Sequence, residues 1–219
     1  MRFVYGQQKK RHERNNAGLK LSLVMGILFA LAKALEARDD DTASHSLNVT
    51  KYSMLLGHQI GLDEEQMRVL GQGAMLHDLG KIGIPDEILK KPGDLDNIEF
   101  ERIKEHPKLT SEILAPLETS NYYSSIARSH HERWDGNGYP DGLNGENIPL
   151  LARIVAIADA WDAMTSNRVY RAGMCKEKAL RILENEKDWG QWDPYLIEQF
   201  IKVIRKDNGC GYSLFEKSG

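Results

Sequence analysis

The stretch "GAMLHDLGK", residues 73–81, decides how this chain is read. An apolar helical run ends in His77 and Asp78, and beyond Leu79 come a glycine and a lysine. Asp78 comes two residues after the inward-facing "GAML". A buried, unpaired carboxylate costs on the order of several kcal/mol or shifts its pKa strongly. A neighbouring cation removes that cost.

The same oddity recurs elsewhere. "ARIVAIADAWDAM", residues 152–164, embeds Asp159 in an apolar helix, and "HHERWDGNGYPDGL", residues 130–143, sets two histidines before a loop with three glycines. Five of the seven histidines stand near helix ends or beside carboxylates: His45, His77, His106, His130 and His131. Imidazole nitrogens and carboxylate oxygens are ligands of first-row transition metals. With Asp78 and Asp159 these are too many groups for one ion, and they suit two ions sharing a carboxylate. Taken singly, each residue reads as a helix cap or a satisfied core group. The set, each member at the polar edge of an apolar helix, does not.

The rest of the chain is helical in period and lacks the alternating runs of strands. Helices are predicted over about 19–38, 42–60 and 63–80, with Val49, Tyr52, Leu56 and Ile60 on one face of the second and Gly61 as its cap. Asp63 with Gln66 and Asp96 with Glu99 are capping boxes. "KIGIPDEILKKPGDLD" is a turn-rich connection, and Pro107 breaks one helix and starts the next. Further helices are predicted over 121–134, 149–165, 175–187 and 193–206, the last with Asp193 as cap and Pro194 at its first position. The expectation is one all-α domain over 19–207, with a linker or helix end over 1–18 and a tail over 208–219.

Composition narrows the function classes. A net charge of -3 gives no basic field for a nucleic-acid polymer. Two cysteines, Cys175 and Cys210, form neither a disulfide framework nor a CxxC knuckle, so a reducing, cytoplasmic setting is expected. "LSLVMGILFALA", residues 21–32, is uncharged but short of the roughly twenty residues of a membrane span. It reads as a helix of the domain, and its apolar run at the chain's edge is a candidate pairing face for a second copy.

His45, His77-Asp78 and Asp159 resemble the H…HD…D pattern of the HD-domain metal-dependent phosphohydrolases. "HDLGKIGIPDEIL", "HHERWDGNGYP" and "RIVAIADAWDAMTSNRVYR" are similar to the HD-GYP subgroup, over about residues 19–205. The resemblance implies an HD-domain helical bundle with a Gly-rich GYP loop. It implies one ion on His45, His77, Asp78 and Asp159, and a second on His106, His130 and His131 with Asp78 bridging. Iron or manganese is implied, with cyclic di-GMP as substrate, opened to pGpG or further to GMP by a hydroxide between the ions.

By the same resemblance, Lys81 contacts substrate phosphate, and Arg168 and Arg171 approach the ligand. Tyr139 and Pro140 form a lip of the site, with Tyr139 among the substrate-binding residues, or a docking surface for signalling proteins. Trp134 and Trp161 read as core aromatics or base-stacking platforms, and Asp162 as an acceptor for a ligand histidine or a polar helix face. One departure stands out: Asp41 occupies the place where the subgroup usually has tyrosine, four before His45. An acidic residue there implies a third ion or, more plainly, a charge at a helix N-terminus. The competing functions are a cyclic-dinucleotide receptor without turnover, another cyclic-dinucleotide or nucleotide phosphohydrolase, and a di-iron oxygenase.

Overall fold

The computed structural model describes residues 23–38, 44–117, 120–167, 172–186 and 190–207. Among them there are helices and turns and no strand. Helix α1 covers 23–38. It is followed by α2 (His45–Ile60), α3 (Glu64–Leu76), α4 (Asp86–Leu89), α5 (Asn97–Ile103) and α6 (His106–Leu114). The remaining helices are α7 (Ser120–Ser129), α8 (Leu150–Thr165), α9 (Lys176–Glu186) and α10 (Pro194–Lys206).

Helix α8 is apolar around most of its circumference, and it sits at the centre accordingly. Ile154, Val155, Ile157 and Ala158 are fully enclosed. Helix α2 lies against α3, α8 and α10, while α7 bridges α3, α6 and α8. Val49 and Leu56 of α2, Leu70 and Ala74 of α3, Ile126 of α7 and Phe200 of α10 meet in one core. Tyr52 and Ile60 pack on its margin. Each fully buried leucine or phenylalanine there contributes about 1.5–3 kcal/mol.

The helix ends follow their local chemistry. Asp63 accepts from Gln66 N and Asp96 from Glu99 N, and both capping boxes close. Gly61 ends α2 at φ 78°. Asp193 accepts from Tyr195 N at 2.9 Å, with Pro194 in the first turn of α10.

The structure also moves some expected boundaries. Helix α7 stops at Ser129 rather than running to 134, because Glu132 N turns back to Ser129 O and Tyr139 N to His131 O. The two histidines therefore leave the helix on a turn. Helix α3 ends at Leu76, and a 3-10 turn over Leu79–Gly83 and the short α4 occupy the connection read as irregular. Helix α1 buries Met25, Ala32 and Leu35, but Leu23, Val24, Ile27 and Leu31 stay exposed. No described helix is long and apolar enough to cross a membrane.

Candidate metal centre

Five helices deliver the expected residues to one place. His45 opens α2, His77 ends α3 with Asp78 next to it, and His106 opens α6. His130 and His131 follow α7, and Asp159 lies on α8. Their donor atoms fall into two groups, each with all atoms within 4.8 Å of one another. One is His45, His77 and Asp159; the other is Asp78, His106, His130 and His131.

Asp78 joins the groups, because its two oxygens face opposite ways. Oδ2 lies 3.4 Å from His77 Nε2 and 3.7 Å from His45 Nε2. Oδ1 lies 3.1 Å from His106 Nε2 and 3.6 Å from His130 Nε2. Across the first group, His45 Nε2 is 3.4 Å from Asp159 Oδ1. In the second, His131 Nε2 is 3.2 Å from His106 Nε2.

The outer ring nitrogens explain why the inner ones point inward. Nδ1 of His77, His106 and His130 each lies 2.7 Å from a backbone oxygen three residues earlier, on Ala74, Ile103 and Ala127. A carbonyl only accepts, so each Nδ1 carries the proton, and Nε2 of the neutral ring presents a lone pair. Pro107 helps to create one of these contacts. It has no N–H for the Ile103 carbonyl four residues back, and His106 Nδ1 takes that acceptor. His45 Nδ1 is held instead by the carboxylate of Asp162, at 2.7 Å.

This arrangement fits a bound cation. His77 Nε2, His130 Nε2 and Asp78 Oδ1 are buried without a hydrogen-bond partner. His106 Nε2 faces both an anionic oxygen and a second ring nitrogen while its own proton is spent on Ile103. Lone pairs aimed at one another in a buried space repel unless a proton or a metal lies among them. Five imidazoles with two carboxylates form a donor set for a divalent transition metal.

The electrostatics differ across the cluster. Burial works against a charged His45, yet the carboxylates of Asp162, Asp78 and Asp159 outweigh it and push the ring up to about 10. Burial, with His130 and His106 adding repulsion, pushes His131 well below the usual imidazole range. Burial would raise Asp78, but His77, Lys81, His106 and His130 hold it well below the ordinary carboxylate range. Lys81 Nζ sits 2.8 Å from Asp78 Oδ2 at the edge of the site.

Two close approaches shape the walls. A Cβ on Gly80 would stand 2.1 Å from His106 O, so only glycine lets the Asp78 turn rest on the start of α6. Thr110 fastens that contact, accepting from Gly80 N and donating to His106 O, each at 2.8 Å. A Cβ on Gly138 would stand 2.4 Å from Arg133 N. The loop thus folds tightly back, and the Tyr139 ring stacks on His131 at 4.8 Å and 23°. The buried Glu132 carboxylate holds the returning arm of the loop through Asp141 N and Leu143 N.

Of the remaining expected residues, Asp162 takes the acceptor role toward His45. Trp161 is buried against Tyr52 and Phe200 as a core aromatic. Trp134 lies under the Arg153 guanidinium. Asp41, Arg168 and Arg171 lie outside the described residues. Glu132 and Thr110 escaped sequence reasoning, since neither stands in an unusual hydrophobic context.

A family model described as an HD domain matches residues 29–196. The cyclic di-GMP phosphodiesterase response regulator RpfG of Xanthomonas campestris pv. campestris is 41% identical over 177 residues, 80% of this chain and 47% of that protein. The 3'3'-cGAMP-specific phosphodiesterase 3 of Vibrio cholerae is 40% identical over 158 residues, 72% of this chain and 34% of that one. The chain therefore spans less than half the length of either relative. The crystal structure of a cyclic GMP-AMP specific phosphodiesterase of V. cholerae, V-cGAP3, shares the fold. Its TM-score is 0.65 at 19% identity, over 83% of this chain and 49% of that one. The matched span takes in every histidine and aspartate of the cluster, and the chain belongs to the HD-domain family.

Proposed function

We propose that the chain is a metal-dependent phosphodiesterase that opens cyclic di-GMP to pGpG or carries it further to GMP. The observation that carries this is Asp78, one carboxylate with its two oxygens turned to two separate groups of inward lone pairs. His45, His77, Asp78 and Asp159 would hold one ion; His106, His130, His131 and the other oxygen of Asp78 a second. Mixed nitrogen and oxygen donors admit several divalent metals, and the resemblance favours iron or manganese. Two such ions supply an acidified water and neutralise charge on a phosphodiester.

The protein's own part is positioning. Asp78 fixes the spacing of the two groups. Lys81, at the edge, offers a point charge to a non-bridging phosphate oxygen. Arg168 and Arg171 are proposed to meet the far phosphate or a guanine edge. Asp162 keeps the His45 ring turned, and Tyr139 bounds the His131 side.

The Vibrio relative named for 3'3'-cGAMP supports a second reading, with that cyclic dinucleotide as substrate. The test is turnover of a panel (cyclic di-GMP, 3'3'-cGAMP and cyclic di-AMP) by protein loaded anaerobically with iron or manganese. Release of pGpG is expected. No turnover with iron, manganese, cobalt or nickel would sink the enzyme and promote a cyclic-dinucleotide receptor.

Two finer points belong to the same proposal. A third ion near Asp41 predicts about three ions per chain, and about two in Asp41→Ala. A homodimer through the exposed Leu23, Val24, Ile27 and Leu31 of α1 predicts twice the monomer mass in light scattering. The loop around Tyr139 is offered as a docking surface for signalling partners, and the cytoplasm as the compartment.

A further inference from the structure

The last turn of α1 touches both arms of the site, although it supplies no donor to it. Glu36 is buried, and its Oε1 accepts from Ser46 N at 2.6 Å. Ser46 is the second residue of α2, and Ser44, just before that helix, gives no side-chain cap. A carboxylate from another helix thus satisfies an N-terminal amide of α2. The neighbour of Ser46 is His45, which projects from that same turn. Lys33 Nζ pairs with Glu36 Oε2 at 2.7 Å on the other side.

Two residues later, Arg38 reaches the opposite arm. Its guanidinium donates to Ile84 O at 2.9 Å and to Ile82 O at 3.2 Å, and its Nε donates to Asp86 Oδ1 at 2.8 Å. Ile82 lies within the 3-10 turn that carries Lys81, next to Asp78, and Ile84 and Asp86 follow directly after it. A planar fork spanning two carbonyls and a carboxylate fixes that segment in direction as well as position. Between the two arms lies a small space lined by Glu36, His45, Ser46, Asp78 and Lys81.

We propose that the end of α1 is a strut, in which Glu36 is a positioning residue for His45 and Arg38 a positioning residue for Lys81. The two have separable consequences. Glu36 acts through a metal-group histidine, so its loss is felt in metal affinity. Arg38 acts through the phosphate-facing lysine, so its loss is felt in turnover. A displacement of α1 shifts both arms at once. The Arg38 half rests on the phosphodiesterase reading above, whereas the Glu36 half rests on metal binding alone.

The test uses the full chain, with Mn²⁺ titrated into metal-free protein by calorimetry. It also follows hydrolysis of bis(4-nitrophenyl) phosphate, a phosphodiester that makes no demand on dinucleotide recognition. Glu36→Ala should weaken one of the Mn²⁺ sites about tenfold and leave the other unchanged. Glu36→Gln keeps an acceptor oxygen for Ser46 N and should restore most of that affinity. Arg38→Ala should leave Mn²⁺ affinity within about twofold and lower kcat about tenfold with little change in KM. Arg38→Lys should not restore kcat, because one ammonium cannot span the three acceptors. Should Glu36→Ala fail to fold, Glu36→Asp, one methylene shorter, takes its place with a smaller loss in the same site.

The strut is overturned if Glu36 and Arg38 variants lose only thermal stability, with Mn²⁺ affinity and kcat intact, or if both classes shift both readouts equally. Glu36→Gln behaving like Glu36→Ala also overturns the capping role. A wild type that binds Mn²⁺ but cleaves neither the probe nor any cyclic dinucleotide defeats the phosphodiesterase reading. It defeats the Arg38 half with it, while the Glu36 titration still decides the other half.

Discussion

The two donor groups of the cluster are built in different ways. In the group of His45, His77 and Asp159, the decisive support for His45 is a carboxylate 117 positions away, Asp162. That carboxylate is itself held by Asn48 Nδ2 at 2.8 Å and by the Ser166 hydroxyl at 2.5 Å. In the group of His106, His130 and His131, two rings lean on backbone carbonyls three residues earlier, and the third lies against Tyr139. The first group pairs one locally held ring, His77, with a long-range, anionic support for His45; the second is local and rich in imidazole. His45 and His131 shift in opposite directions, His45 upward among carboxylates and His131 downward through burial and the neighbouring rings. The first group draws any cation, a proton included. In the second, His131 stays neutral into acid and its ring remains open to metal.

The hardest blow to this division is to remove what the groups share. Asp78→Ala should empty both groups in elemental analysis and drop turnover to background, a loss of more than about a thousandfold. Retention of one ion per chain in that variant would mean that the groups are independent and Asp78 is not a bridge. Lys81→Ala sharpens the contrast from the substrate side. It should leave the metal content unchanged and lower kcat about a hundredfold, the scale of losing one charge-stabilising donor. Equal metal loss in both variants would show that Lys81 serves the cluster and not the phosphate.

Removing the long-range support should affect one group alone. Asp162→Ala is expected to weaken the site that includes His45 by about 10–100-fold and to spare the site that includes His131. Calorimetric titration with Mn²⁺ distinguishes the two, and a uniform loss would erase the distinction drawn here.

Acidity offers a milder probe of the same asymmetry. In the metal-free protein, His45 keeps its proton up to about 10, against 6.5 for an ordinary imidazole. A histidine raised in this way stabilises the fold fully below pH 6.5, and that contribution is lost as pH rises toward 10. The melting temperature of metal-free protein should therefore fall over this interval. Metal binding needs the same Nε2 unprotonated and runs the other way, so affinity at the His45 group should rise with pH. His131, whose ring burial keeps neutral, should add little to the pH dependence of the other site. Parallel pH profiles for both sites would contradict the opposed shifts.

How much of this was legible in the sequence follows from the same contrast. The helical fold, both capping boxes, the Gly61 cap and the role of Pro107 are local, and local chemistry can be read along the chain. The cluster residues were legible because a carboxylate or a histidine pair on an apolar helix is conspicuous. Asp162 was legible only as one of two alternatives, since spacing alone cannot say which histidine it meets. Glu36, Arg38, Thr110 and Glu132 were not legible. Each is an ordinary polar residue in an ordinary helical or loop context, and its task is set by a partner that only the fold brings near. The end of α7 departs from the periodicity for a related reason: the turn of His130 and His131 is set by the loop closing back on them, not by any breaker before residue 135.

Tyr139 gives the smallest expected effect and the finest cut between the two readings of its loop. The sequence resemblance assigns it to substrate, whereas its ring stacks on His131 and lies 5.8 Å from the Lys104 ammonium. If its task is to steady His131, the flat ring matters and the hydroxyl does not. Tyr139→Phe should then keep kcat and Mn²⁺ affinity within about twofold, because the stacking contribution of about 0.5–1.5 kcal/mol survives. Tyr139→Ala should lose roughly that contribution, about threefold to tenfold in affinity at the His131 group. A Tyr139→Phe variant with normal metal affinity but KM raised as far as in Tyr139→Ala would assign the hydroxyl to the substrate. The second group would then be steadied by its backbone contacts alone, and its local character would be more complete than the stacked ring suggests.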